Sequence, residues 1–288
     1  MGFLSTFREK TKRVTLPLLL AGAATLGGAR RAAAAQTVDA VVPAVAANTG
    51  KNGTYWTTEL VLVNRNNVSG DVAIRATNSS GTTDAQTWTL PARSQVTIED
   101  VASYFPSFQP PGGLLLDYQG VDPAKVAGFS RTFTLAPNGG AGTLGQGVSV
   151  VPASALLREG VKYYAPNGAT ETVRSNVGVM NAGETAADVA VRLRGEGGFL
   201  LAEKTVTVPP GGWTQPDVFK LFGVAFTPQT YVVVNPQTGT SWAAYVSQVD
   251  NTSGDPTFFP VIPARQGPFQ VGELQLWLPA VAHLPGFN

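Results

Sequence analysis

The chain has no cysteine and one histidine, His283, in 288 residues. Without thiols there is no disulfide framework and no thiolate to act as nucleophile or ligand. A lone imidazole near the end of the sequence leaves no basis for histidine triads or for His/Cys metal centres. Charge is scarce too: charged residues make up 14% and the formal net charge is +1. That provides no excess of Lys and Arg to neutralise phosphates, so nucleic acid is not an expected partner. A hydrophobic fraction of 43% argues equally against intrinsic disorder. There is no G-x-S-x-G elbow and no G-x-x-x-x-G-K phosphate loop. Beyond residue 36 no apolar run is long enough for a spanning helix, so no membrane span is expected in the mature chain.

What is present begins with a leader. Arg8, Lys10, Lys12 and Arg13 precede an apolar run, Val14 to Ala29, followed by the small residues Ala32 to Ala35. Basic, apolar, small is the order of a secretory signal peptide over 1–35, with cleavage expected after Ala35. The run is shorter than the ~20 residues a membrane-spanning helix needs, and it contains Pro17. Its alanine-rich character resembles a bacterial export signal, which would make the sequons at Asn52, Asn67, Asn78 and Asn251 incidental. The expected location is extracellular or at the cell surface.

A long-period repeat organises the rest. Setting Asn64 over Asn181 places Thr57–Asn64 over Arg174–Asn181, Asp71–Gly81 over Asp188–Gly198, and Asp100–Phe105 over Asp217–Phe222. Leu114–Asp117 then lies over Tyr231–Val234, and TLPARSQ matches TVPPGGW with a slip of one residue. Near the end, Pro279–Ala282 repeats Pro43–Ala46, with Gly286 and Asn288 in the register of Gly50 and Asn52. These matches divide the mature chain into repeat 1 (36–150), repeat 2 (151–265) and a linker with the start of a third copy (266–288).

Each copy alternates with a period of two. Leu60, Leu62 and Asn64 interleave with Val61 and Val63, and Val72, Ile74 and Ala76 do the same further on, the mark of half-buried strands. Asn- and Gly-rich turns separate the strands, so an all-β sandwich or barrel is expected. Asp100 and Asp217, each preceding apolar residues one turn apart, predict one short capped helix per copy.

Few residues suggest chemistry. Gly140-x-Gly142-x-x-Gly145 fits a dinucleotide loop in letters only, because a strand and not a helix follows it, and a hairpin loop is the better reading. Glu99 and Asp100 are adjacent and so face opposite ways on a strand. Asn66, Asn67 and Asp71, and Asp250, Asn251 and Asp255, are read first as ordinary turn-capping residues, with oxygen ligation of calcium as the lesser alternative. The tryptophans Trp56, Trp88, Trp213, Trp242 and Trp277 do not fall at matching places in the copies. They serve core and inter-domain packing or, in part, a platform for sugar rings.

The pattern carried by Val41–Ala44, Trp56, Leu60, Asn64, Pro209–Gly211 and the two D-V-x-x-x-F segments resembles the immunoglobulin-like β-sandwich repeats of exported bacterial surface proteins. The paired cysteines of true immunoglobulin domains are missing, and repeat 2 has Val173 in place of Trp56. The resemblance implies two tandem immunoglobulin-like sandwiches, each with one short helix, and a non-catalytic structural or adhesive role. It implies no cofactor and no catalytic residue, with other copies of the chain or surface polymers and glycans as partners. A second expectation is a carbohydrate-binding module array belonging to a larger secreted enzyme. The third copy has two readings: either the chain is part of a longer array, or Leu274–His283 is an extended segment that completes the second sandwich or pairs with an exposed sheet edge of a neighbouring molecule.

Overall fold

The computed structural model describes residues 38–50, 53–136, 141–239 and 241–264. The expected signal peptide, the third copy with Trp277 and His283, and Gly140 lie outside the described residues. All pairings between named strands are antiparallel, and none of the described helices is long and apolar enough to cross a membrane.

The first ten strands are β1 (Ala40–Val45), β2 (Asn48–Thr49), β3 (Tyr55–Asn64), β4 (Gly70–Asn78), β5 (Gly81–Leu90), β6 (Ser94–Ile98), β7 (Gly112–Gln119), β8 (Val126–Leu135), β9 (Thr143–Ser149) and β10 (Val151–Pro152). They form one sheet in the order β10-β1-β7-β4-β5 and a second in the order β6-β3-β8-β9, with β2 also on β3. The next nine are β11 (Tyr163–Asn167), β12 (Val173–Asn181), β13 (Ala187–Arg194), β14 (Leu200–Val208), β15 (Trp213–Thr214), β16 (Thr230–Pro236), β17 (Trp242–Asp250), β18 (Pro256–Pro260) and β19 (Ile262–Pro263). Their sheets run β19-β11-β16-β13-β14 and β15-β12-β17-β18. Strand for strand these are the orders of the first set, so the sequence repeat is a repeat of topology, and the four sheets make two sandwiches.

Period-two burial builds each core. Leu60, Leu62, Val72, Ile74, Leu114 and Leu116 point into the first; Val177, Val179, Val189, Val191, Val232 and Val234 point into the second. The register corrects one block of the repeat. Ile74 stands opposite Leu116 and its counterpart Val191 opposite Val234, so Leu114–Asp117 matches Val232–Asn235 and not Tyr231–Val234. The other alignment would turn every side chain of β16 to the wrong face. It follows that Gly113 corresponds to Tyr231 and Asp117 to Asn235. Arg75 pairs with Asp117 at 3.0 Å and Arg192 donates to the Asn235 oxygen at 3.1 Å, the same contact in two chemistries.

The slip in TLPARSQ/TVPPGGW is also real in space. Val63 pairs with Gln95 and Met180 with Trp213, and both turns need a left-handed residue, Arg93 (φ 52°) in one and Gly211 (φ 63°) in the other.

Asn64 and Asn181 form equivalent latches. The Asn64 amide donates to the carbonyls of Val68, Leu90 and Pro91, while its oxygen accepts from the Asn66 backbone N–H. Asn181 donates to Thr185, Val208 and Pro209 and accepts from Gly183 N–H. Each ties two loops together at one end of a sandwich.

The two expected helices differ. Asp217 caps α1 (Val218–Phe222), its carboxylate accepting from Lys220 N–H at 3.0 Å. Asp100 does not cap. It sits at φ 43°, ψ 60° before a 3-10 turn, and its carboxylate accepts from the Thr57 hydroxyl at 2.8 Å instead. A left-handed backbone turns the carboxylate away from the first-turn N–H groups that a capping residue must face.

Candidate functional site: a cleft between the sandwiches

The sandwiches meet through a small apolar junction. Val41 and Leu115 of the first sandwich pack in one cluster with Met180, Ala182, Trp213 and Ala243 of the second and with Leu156 of the segment between them. The indole N–H of Trp213 donates to the Pro43 carbonyl at 2.8 Å, which satisfies the one polar atom of a buried ring. Close approach depends on glycine: a Cβ on Gly113 would stand 2.8 Å from the Met180 sulfur and 2.9 Å from the Val42 oxygen. The Tyr245 ring lies against Gly178, with no room for a Cβ there, and reaches the core of the first sandwich. Burial raises the Tyr245 phenol above its ordinary range; it stays neutral and donates to Gln215 Oε1.

Beside this junction lies a cleft of about 430 Å³. The first sandwich contributes Asn48, Thr49, Trp56, Thr132 and Gln146, the second Arg174, Asn176, Trp213, Gln215 and Ser247. Asn48 and Trp56 are cross-strand partners on β2 and β3, and the indole edge of Trp56 lies on Gly50. Arg174 and Asn176 project from the same face of β12 as Gly178 and Met180, the face turned toward the first sandwich. The Ser247 hydroxyl donates to Gln146 Oε1 at 3.2 Å across the gap, and Arg174 donates to Asn251 Oδ1. The described lining residues include no carboxylate and no histidine. These groups can hold a ligand by hydrogen bonds and ring contact, but they offer no acid–base pair to transform one.

The described carboxylates, asparagines and glycines singled out from sequence for chemistry do not line the cleft. Asn66 bonds to Asn64 and to the backbone of Asp122, and Asn67 accepts from Arg93. Asp71 lies on β4, opposite Thr89. Asp250 accepts from Thr252 and Ser253 N–H groups, which lower its pKa, and Asp255 accepts from Gly145 N–H of the other sandwich at 3.3 Å. No group of three or more His, Asp or Glu able to hold a metal occurs among the described residues. Gly142, at φ 94°, lies in the β8–β9 hairpin, and Gly145 is already within β9. Glu99 is exposed, and neither it nor Asp100 lines the cleft.

The tryptophans divide by role. Trp242 is core, Trp88 packs on Tyr104 and Phe105, Trp213 seals the junction, and Trp56 and Trp213 share the cleft. Comparing the copies position by position misses that pairing, because the two rings come from non-equivalent strands. The available signal was a Trp in one copy where the other has Val173.

No protein-family model matches the chain. A search of curated proteins finds no match either.

Proposed function

We propose that the chain is a non-catalytic, exported structural or adhesive β-sandwich repeat protein of the cell surface or extracellular matrix. The observation that carries this reading is the cleft itself: hydrogen-bonding amides, hydroxyls and indole rings, with no acid–base pair among the described lining residues. The fused junction adds support, since a load-bearing or adhesive repeat gains from a fixed relation between modules.

The immunoglobulin likeness belongs to the same proposal. The pairs β3–β6 and β4–β7 stand where an immunoglobulin domain pairs its B–E and C–F strands, whereas β1 joins β7 and β8 joins β3. Strands β1 and β8 have thus exchanged sheets relative to that order, and fold likeness alone argues little about function.

Two measurements test the reading. Secreted material should begin at Gln36 by N-terminal sequencing, with the protein in the medium or surface fraction. Beads coated with the purified chain should be retained on the surface polymers of the producing cells, while glycan and peptide libraries incubated with it stay uncleaved. Turnover of any library member, or retention no better than bare beads, overturns the proposal.

A further inference from the structure

We infer that the cleft between the sandwiches is a saccharide site, taking a short stretch of neutral glycan with Trp56 as its ring platform. Asn48, Gln146, Asn176 and Gln215 would supply the polar rim. The inference rests on the reading of the chain as a non-catalytic surface protein and names the class of ligand that such a surface would hold.

Four observations converge. The volume, about 430 Å³, falls within the roughly 300–1,000 Å³ of ligand sites, which favour domain interfaces. The rim is built from side-chain amides and hydroxyls, groups that both donate and accept without charge. A sugar hydroxyl also donates and accepts, so such a rim can match one at each position without a buried unpaired charge. Arg174 is the single cation among the described lining residues, and Asn251 already engages it; a polyanionic ligand would find little to neutralise it.

The fourth observation is comparative, within the chain. The topology is built twice, and the place of Trp56 is taken by Val173 in the second copy. The sandwich therefore does not need an aromatic there. The copy that has one is the copy whose ring lines the cleft, and Gly50 leaves space for the indole edge, which a Cβ would meet. A flat, rigid indole offers large contact area at low entropic cost, and the C–H face of a pyranose ring is its natural complement. A peptide fits less well, because strand addition draws on a row of unpaired backbone groups, whereas this rim is side chains.

The test is isothermal titration of the whole mature chain against a panel of defined neutral oligosaccharides, followed by variants. Trp56→Ala should weaken the best ligand by about ten-fold or more, and Trp56→Phe should fall between it and wild type. Tyr55→Ser, the exposed neighbour on the opposite face of β3, should leave binding unchanged. Thermal denaturation of each variant checks that it is folded. Binding unaffected by Trp56→Ala, or no binding by any panel member at millimolar concentration, overturns the inference. A peptide whose binding is lost in Trp56→Ala also overturns it, in favour of a protein ligand. Retention of coated beads on cells is read separately, so the adhesive proposal can stand while the saccharide site falls, or fall with it.

Discussion

At the scale of single residues, the most consequential side chains are Asn64 and Asn181. Each is 1% exposed, and each shares its amide hydrogens among three backbone carbonyls. Removing that donor strands buried carbonyls, so Asn64→Ala is expected to cost about 2–3 kcal/mol, read from the urea midpoint. Asn64→Asp should cost more than Ala despite its shape, because a carboxylate would then face those same carbonyls. Asp117 gives a pH prediction with an unusual sign. Burial raises its pKa, Arg75 opposes that, and Asp39 adds to it. The net shift is upward, so the folded state holds the proton more tightly than the unfolded chain does. Relative to Asp117→Asn, wild-type stability should therefore rise as pH falls from above the folded pKa to the unfolded value near 3.8. A flat or falling difference in pH-dependent urea midpoints would sink this reading. The variant itself copies Asn235, which already partners Arg192 in the second sandwich.

At the scale of elements, the two short helical segments show what a local motif can and cannot specify. Asp217→Ala should destabilise by about 1 kcal/mol through loss of the cap. Asp100→Gly should change stability by less than about half that, since relief of the left-handed backbone offsets loss of the Thr57 bond; thermal melts of both variants check the contrast. Sequence alone predicts an apolar turn after an acidic residue in both copies, but the backbone angle that decides capping is set by how each loop leaves its strand. The strands themselves were legible, because period-two burial is written directly in Leu60–Leu62–Asn64 and Val72–Ile74–Ala76. The register of β16 was not. Leu114–Leu116 and Val232–Val234 are unbroken apolar runs, and a run without polar punctuation does not say which residues face inward.

At the scale of the whole molecule, the junction decides the candidate site, and the sequence does not display it. Trp56, Trp213, Gln146 and Asn176 belong to four different strands of two sandwiches, and only their packing brings them together; no spacing along the chain encodes it. The junction also has a sensitive point. Gly113→Tyr, which installs the residue found at the equivalent position 231, should push Met180 away and part the sandwiches. Small-angle scattering is expected to show a larger radius of gyration, and calorimetry two transitions in place of one. An unchanged radius and a single transition would show that the junction does not rely on that glycine. The segment joining the sandwiches is not a free tether either. Ala153 N–H donates to Asp39, Leu157 exchanges backbone bonds with Trp242, Gly160 N–H donates to Pro236, and the Val161 carbonyl accepts from Asn235. Leu156 and Leu157 are buried. In the adhesive role proposed above, a pull on one sandwich would find little slack between modules, because the connecting backbone is anchored to both and Trp213 is bonded to Pro43 across the junction.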